Sequence, residues 1–190
     1  LTYNRKLSQL EMPALQISQR IIFGIRPCDA RAVALLDTVF ATADNPDPYW
    51  QTRREQTILV GLGCSEPATT CFCTSVGSGP FDHAGLDALL TDLGEAYLVE
   101  TFTVRGEALF ANLASANAND AEQAGTIQQQ ASALLEPAFT TDGLKEHLDQ
   151  IFDSYLWSEF AQSCLGCGIC TFLCPTCFCF DIVDEAQRDE

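Results

Sequence analysis

A run of cysteines near the C-terminus constrains this chain more than any other sequence feature. Residues 164–179 read C-L-G-C-G-I-C-T-F-L-C-P-T-C-F-C, which begins with the spacing C-x2-C-x2-C-x3-C-P. That spacing is typical of chains that hold a [4Fe–4S] cluster, because closely spaced thiolates on one short loop can reach several corners of a compact cubane. Gly166 and Gly168 allow the sharp turns that direct backbone N–H groups at sulfur. The run therefore predicts cluster ligands at Cys164, Cys167, Cys170 and Cys174.

A disulfide framework and a structural zinc site both fit the run less well. Disulfides belong mainly to oxidising compartments and small secreted domains, whereas the N-terminus here lacks the charged-then-apolar pattern of a signal peptide. A structural zinc site usually takes two separated C-x2-C pairs and is complete with four ligands. In two-cluster ferredoxins the cysteine before the proline binds the other cluster, so Cys174 raises the expectation of a second cluster.

Cys177 and Cys179 follow Pro175 and are secondary ligand candidates. They could replace a missing ligand of the first cluster, hold a further cluster, or pack as free thiols. The sequence leaves these three possibilities open.

A second group of cysteines lies in the first half of the chain, at Cys28, Cys64, Cys71 and Cys73. The apolar runs at 20–26 and 57–62 predict buried strands, and the first two of these cysteines follow them closely. Because ligands bind at the carboxyl ends of strands in open α/β sheets, the four thiols could form a complete ligand set for another [4Fe–4S] cluster. The alternative is that they are buried free thiols that pack as small hydrophobic side chains. Cys71 and Cys73 would point to opposite faces of a straight strand, so they converge only if the chain turns between them.

Three charged residues, Arg26, Asp29 and Arg31, flank Cys28. We expect them to form ion pairs that fix the loop around this cysteine. A substrate-binding role is the alternative.

The predicted elements indicate an α/β (α+β) domain that precedes the C-terminal cysteines. A strand, a turn at Pro27 and a helix follow one another at 20–40, which is the pattern of an α/β unit. Residues 43–50 are rich in turn formers and predict a loop. A helical stripe of apolar residues from Leu144 to Phe160 predicts one long helix that leads to the cysteine run. The predicted units are an α/β domain at 1–113, a linker and helix at 114–140, and a cluster domain at 141–190.

Composition excludes several functions. Ten basic residues against 26 acidic ones give a net charge of −16, which argues against nucleic acid as a partner and suits a basic docking partner. The sequence contains no run of eighteen apolar residues, so we predict no transmembrane helix. Ten cysteines without a secretory signal predict a reducing, cytoplasmic location. No nucleophile–base pair or phosphate-binding loop is evident, so we predict no catalytic residue.

Three motifs together resemble a known family. They are R-P-C-D-A-R-A at 26–32, G-C-x6-C-F-C-x-S at 63–75, and the C-terminal cysteine run. The combination resembles the beta subunit of cytoplasmic sulfhydrogenases and the A subunit of anaerobic sulfite reductase, across about residues 20–185. The resemblance implies two or more [4Fe–4S] clusters and an α-helical ferredoxin-type iron–sulfur domain at the C-terminus. It assigns the ligands to the positions that match the family's cysteines: Cys28, Cys64, Cys71, Cys73, Cys164, Cys167, Cys170 and Cys174.

The function that the resemblance implies is electron relay in an anaerobic multi-subunit oxidoreductase. The partners would be a flavoprotein subunit, which carries FAD and oxidises NAD(P)H, and a catalytic metalloenzyme subunit such as a hydrogenase or a sirohaem reductase. Family members usually carry a second C-x2-C-x2-C-x3-C-P further on, and this sequence stops before it. We therefore expect a chain that is truncated at the C-terminus. In a complete chain, Cys177 or Cys179 would have to substitute as a ligand.

Two functions of different classes remain as alternatives. A zinc-stabilised, non-redox interaction module would be colourless, whereas iron–sulfur clusters are brown. A self-contained reductase, with substrate at an open cluster corner, would turn over with an artificial donor and without partner subunits.

Overall fold

The computed structural model describes residues 2–4, 6–11, 14–15 and 18–178, and its centre is a four-stranded mixed sheet flanked by helices. The strands are β1 (Thr2–Asn4), β2 (Gln9–Glu11), β3 (Arg20–Ile25), β4 (Thr57–Leu62), β5 (Ala88–Asp92) and β6 (Tyr97–Thr101). The helices are α1 (Pro27–Phe40), α2 (Pro48–Glu55), α3 (Val104–Phe110), α4 (Ala118–Ala133), α5 (Leu144–Gln150), α6 (Leu156–Ala161) and α7 (Ile169–Leu173). Strands β1 and β2 form a separate antiparallel pair.

The order of the strands in the main sheet is β3-β4-β5-β6. Strand β4 runs parallel to both β3 and β5, and β6 is antiparallel to β5. This sheet with its helices confirms the predicted mixed α/β class. Because β3 and β4 are parallel neighbours, their carboxyl ends lie side by side at one edge of the sheet.

The apolar core lies between the sheet and the helices that cover it. Leu59 of β4 is 1% exposed and packs with Leu89 of β5 and Ala30 of α1. Each fully buried leucine contributes about 1.5–3 kcal/mol relative to an exposed one. On α4, Ala124 and Ala131 are buried, which fits the contacts of this helix with β5 and β6.

A buried carboxylate ties the sheet to the start of α3. The Asp87 side chain accepts hydrogen bonds from the backbone N–H of Leu59 at 2.9 Å and from Thr103 Oγ1 at 2.6 Å. Arg105 Nη2 lies 3.1 Å from the same carboxylate and forms an ion pair with it. The charge of Asp87 is therefore both paired and hydrogen-bonded, as a buried charge must be for the fold to tolerate it.

The prediction of a loop at 43–50 is wrong at its C-terminal end, where α2 begins. Asp47 caps this helix, since its side chain accepts hydrogen bonds from the N–H groups of Tyr49 and Trp50 at 2.7 and 3.0 Å. Pro48 occupies the first helical position. An Asp-Pro pair that looks like a turn signal is here a helix start, because both residues also suit the first turn of a helix.

The prediction of one long helix over residues 144–160 is also wrong. The structure has two short helices, α5 and α6, with a turn between them. The carbonyl oxygen of Ile151 accepts hydrogen bonds from the Trp157 indole at 2.7 Å and from the Ser154 N–H at 3.0 Å. The Ser154 hydroxyl accepts from the N–H of Leu156 at 3.2 Å. These local bonds replace the regular helical ladder and so break the helix.

The C-terminal segment forms no apolar core of its own among the described residues. Every described residue from Tyr155 to Phe178 is exposed. An aromatic contact joins this segment to the rest, because the rings of Phe178 and Phe40 lie edge to face at 5.5 Å. A segment this small usually depends on a covalent or metal staple for its stability.

Across the described residues, the longest apolar helical stretches fall short of what crossing a membrane requires.

Candidate metal centres

The four N-terminal cysteines all lie beyond the carboxyl ends of β3 and β4. Cys28 occupies the first turn of α1, directly after Pro27, and its side chain is exposed. Cys64 follows the end of β4 by two residues and is partly buried. Cys71 and Cys73 come next, and Cys73 begins a 3₁₀ turn that ends at Val76. The topology thus brings the Cys28 loop to the same sheet edge as the loops of Cys64 and of Cys71 and Cys73, which lie much further along the chain.

The chain does turn between Cys71 and Cys73, as their convergence requires. Phe72 lies between them with φ −134° and ψ 19°, which is not an extended conformation. Its carbonyl accepts a hydrogen bond from the N–H of Ser75 at 3.0 Å, so the chain bends into a 3₁₀ turn here and does not form a straight strand. The objection that the two thiols must point to opposite faces therefore does not apply.

The pKa shifts of Cys28 and Cys64 arise in part from the other N-terminal thiols. Burial raises the pKa of the Cys28 thiol, and the charges of Asp29 and Cys64 raise it further. Burial also raises the pKa of Cys64, Arg26 opposes this rise, and the charges of Cys71 and Cys73 add to it. The charges of neighbouring thiolates thus disfavour ionisation of Cys28 and Cys64, which is the situation that a bound cation relieves.

The donor set consists of sulfur, which suits iron–sulfur clusters or zinc far better than magnesium or calcium. Within the part of the chain that the structure describes, no group of three or more His, Cys, Asp or Glu side chains is gathered as the ligands of one metal ion. A [4Fe–4S] cluster binds each thiolate at a different iron, so its ligands lie farther apart than those of a single ion. The N-terminal thiols therefore fit a cluster by chemistry and by placement, and their coordination stays a prediction.

Arg26 connects the loop of Cys28 to the loop of Cys64. It is the N-cap residue of α1, and its guanidinium Nη1 donates to the carbonyl oxygens of Leu62 at 3.5 Å and Gly63 at 3.3 Å. The same nitrogen lies 3.9 Å from the Sγ of Cys64. The expected ion pair is replaced here by hydrogen bonds to carbonyls and a thiol. One side chain thereby fixes the relative position of two cysteine loops.

Arg31 connects α1 to the loop that carries Cys73, and it does form the predicted ion pair. Its guanidinium donates to the carbonyl of Gly77 and lies 3.6 Å from the carboxylate of Asp82. Burial alone would raise the pKa of Asp82, but hydrogen bonds from Ser78 and the Ala84 N–H, together with the charge of Arg31, lower it overall. The carboxylate therefore stays ionised and holds the arginine in place.

The glycines of the sequence Gly61-Leu62-Gly63 allow close packing at this edge. A Cβ atom built on Gly63 would lie 2.0 Å from the ring of Phe81. Glycine is required there because the phenyl ring covers the backbone, which favours close packing over a dinucleotide-binding turn.

The C-terminal cysteine run has the turns that its glycines predict. Gly166 and Gly168 have φ values of 66° and 71°, in the left-handed region. The N–H of Gly166 donates to the Sγ of Cys164 at 3.4 Å. The prediction that a backbone N–H group donates to a cysteine sulfur is thus confirmed for Cys164.

The remaining cysteines of the run lie around α7. Cys170 is in the helix, Cys174 caps its end, and the described thiols of this run are exposed. A hydrogen bond with Thr176 lowers the pKa of the Cys174 thiol. Cys167 and Cys177 line the same cavity of about 480 Å³ beside this helix, which places the secondary candidate close to the predicted ligands. Cys179 lies outside the described residues.

Sequence reasoning missed a contact between the N-terminal cysteine loop and the segment that leads to the C-terminal run. The Ser75 hydroxyl is 8% exposed and accepts hydrogen bonds from the N–H groups of Ala138 at 2.8 Å and Phe139 at 3.3 Å. The Phe139 ring also contacts that of Phe72, with centroids 5.9 Å apart. The S-V-G-S sequence around Ser75 gives no signal of this long-range contact.

Replacement of Ser75 with alanine should detach this segment locally. The N–H groups of Ala138 and Phe139 would lose a partly buried acceptor, which costs about 0.5–1.5 kcal/mol. Hydrogen exchange at the amides of Ala138 and Phe139 should accelerate accordingly. The neighbouring Thr74→Val is the matched control, because the Thr74 hydroxyl is buried without a hydrogen-bond partner among the described residues. Equal exchange rates in both variants would contradict the role given to Ser75.

Comparison with known proteins bears on both groups of cysteines. Residues 163–190 match the family model described as a 4Fe-4S dicluster domain. The chain is 33% identical over 172 residues to sulfhydrogenase 2 subunit beta of Pyrococcus furiosus, and the aligned part covers 88% of this chain. It covers 51% of that relative, so the chain spans about half the length of the curated relative it matches. No solved structure matches the chain.

The dicluster match supports [4Fe–4S] clusters as the cofactor of the C-terminal segment. The alignment with the sulfhydrogenase subunit also extends well beyond that segment, into the α/β part with its own four cysteines. The chain is therefore similar to a sulfhydrogenase beta subunit over most of its own length, and residues 163–190 match a 4Fe-4S dicluster domain, which confirms the resemblance seen in its cysteine motifs.

Proposed function

We propose that this chain relays single electrons, through protein-bound [4Fe–4S] clusters, between two other subunits of an oxidoreductase. The observation that carries the proposal is the C-x2-C-x2-C-x3-C-P run within a segment that matches a 4Fe-4S dicluster domain. A relay needs protected metal groups that accept and release one electron, and it needs no acid, base or substrate pocket. The absence of a nucleophile–base pair in the sequence agrees with that requirement.

Two ligand sets follow from this function. The first would be the four thiols at the ends of β3 and β4, which are Cys28, Cys64, Cys71 and Cys73. The second would be the C-terminal run, with Cys164, Cys167, Cys170 and Cys174 as ligands and with Cys177 and Cys179 as further candidates. Support for the first set comes from the shared sheet edge and from the electrostatic coupling of its thiols. We therefore propose two or more clusters per chain.

The clusters would supply the redox chemistry, and the chain's own residues would set its conditions. Cysteine thiolates hold the iron, and N–H groups such as that of Gly166, which donates to Cys164 Sγ, stabilise negative charge on sulfur. Arg26 and Arg31 keep the three N-terminal loops in register. The Ser75 contact holds the segment that leads to the C-terminal run against the N-terminal cysteine loop.

The partners in this proposal are a flavoprotein subunit, with FAD and NAD(P)H, and a catalytic metalloenzyme subunit. Support for a multi-subunit assembly with a catalytic subunit comes from the relative, which is named as the beta subunit of a sulfhydrogenase. The net charge of −16 favours partners with basic docking surfaces. We also propose the three units 1–113, 114–140 and 141–190, of which the last is a helical ferredoxin-type domain, and a cytoplasmic location.

The test is electron transfer by the isolated intact protein after strictly anaerobic purification. The protein should be brown, should bleach when chemically reduced FAD is added, and should recover its colour when a one-electron acceptor dye follows. Hydrogen and sulfite should not be turned over without partner subunits. A colourless protein that contains zinc would support the interaction module instead, and turnover of either substrate by the chain alone would support a self-contained reductase.

A further inference from the structure

The N-terminal thiols have one cationic neighbour whose position suits a second role. The Nη1 atom of Arg26 is 3.9 Å from the Sγ of Cys64. The other arginine of the same motif, Arg31, is directed at the Gly77 carbonyl and the Asp82 carboxylate. Of the two arginines in the motif at 26–32, Arg26 is therefore the one whose guanidinium lies beside a candidate ligand, Cys64.

The sign of the effect follows from charge. One-electron reduction adds one negative charge to a thiolate-held iron–sulfur group, so a fixed positive charge beside a ligand sulfur stabilises the reduced form. Hydrogen bonds to the sulfurs and nearby charge are among the factors that set such potentials.

We propose that Arg26 is a positioning residue that raises the reduction potential of the N-terminal cluster. It does so by donating to Cys64 Sγ while the carbonyls of Leu62 and Gly63 hold its guanidinium in place. This inference rests on the proposed function, because it requires a cluster on the N-terminal thiols. It adds to that function a reason why the site accepts electrons more readily than its thiolates alone would allow.

The experiment is a redox titration of the intact, anaerobically purified protein, followed by electron paramagnetic resonance. The N-terminal signal is first identified as the one that Cys64→Ser abolishes. In Arg26→Gln, this signal should persist with a more negative midpoint potential. A hydrogen bond to a charged group supports a shift of about tenfold in the ratio of reduced to oxidised cluster at fixed potential, or about 59 mV for one electron.

Two further variants separate charge from structure. Arg20→Gln removes the same charge at the opposite end of β3 and should leave the midpoint unchanged. Arg26→Lys keeps the charge without the planar fork and should stay closer to the wild-type potential than Arg26→Gln does. It is also the variant that decides the outcome if Arg26→Gln loses the cluster.

Three results would overturn the inference: an unchanged midpoint in Arg26→Gln, an equal shift in Arg20→Gln, or loss of the cluster from Arg26→Lys as well. The failure of the proposed function looks different. In that case the wild-type protein would itself lack a signal and iron that depend on Cys64.

Discussion

Asp87→Ala is expected to lower the free energy of unfolding of the α/β part by about 3 kcal/mol or more. The carboxylate is 1% exposed, and its removal leaves the buried N–H of Leu59 and the hydroxyl of Thr103 without an acceptor. Breaking a buried pair costs about 3–5 kcal/mol. The Arg105 side chain is 41% exposed, so water can solvate its freed charge, and the lower end of that range applies. The loss is a large fraction of the 5–15 kcal/mol that holds a typical domain together.

The measurement is urea unfolding under anaerobic conditions, followed by circular dichroism, with hydrogen exchange at the Leu59 amide as a local readout. Asp92→Ala is the matched control, since Asp92 lies at the exposed end of the next strand and accepts one hydrogen bond, from Gly94. It should cost about 1 kcal/mol or less. Similar unfolding midpoints for the two alanine variants would show that the Asp87 network does not stabilise the sheet.

Cys170→Ser is expected to remove one cluster, or about four irons, from each chain. It should also abolish the protection of α7 from hydrogen exchange. The described residues around this helix are exposed and form no apolar core, so metal binding must supply most of the folding free energy of this segment. Treatment of the wild-type protein with an iron chelator should loosen the same helix and leave the buried strands β4 and β5 protected.

Iron analysis and hydrogen exchange on the intact protein test this expectation. Thr171→Ser is the control, because it alters the adjacent residue in α7 and keeps the hydroxyl that donates to the Gly168 carbonyl. It should retain its iron. Full iron content in Cys170→Ser, or an α7 that stays protected after chelation, would contradict the ligand assignment and the metal-dependent folding of the segment.

The parts of the fold that the sequence predicts are those in which one local signal dominates. The strands β3 and β4 are short, β-branched apolar runs, and the structure places them at 20–25 and 57–62. The break between α5 and α6 is not visible in the apolar stripe, because it depends on the Trp157 indole reaching back to the Ile151 carbonyl. The spacing of apolar residues indicates which face of a helix is apolar. It does not indicate where side-chain contacts interrupt the backbone hydrogen bonds of the helix.

In the candidate site, too, the features with a local sequence signal could be predicted and the long-range contacts could not. The cysteines could be found from their spacing and from their positions after predicted strands. The contacts of Arg26 with Gly63 and of Arg31 with Gly77 join residues 37 and 46 positions apart, and they depend on the tertiary fold, in which β3 pairs with β4. The motif around Cys28 therefore indicates that these arginines have a role near the cysteine, whereas the structure shows which backbone carbonyls each of them contacts.

The central claim is that this chain holds one group of clusters on its C-terminal cysteines and another cluster on the cysteines at the strand ends. Iron and acid-labile sulfide per chain, measured in the anaerobically purified wild type and in Cys64→Ser, test it most directly. The account predicts about four irons and four sulfides per cluster, with several clusters in the wild type and about four fewer irons in the variant. Equal iron in the two proteins would contradict the N-terminal site, and zinc in place of iron would contradict the electron relay altogether.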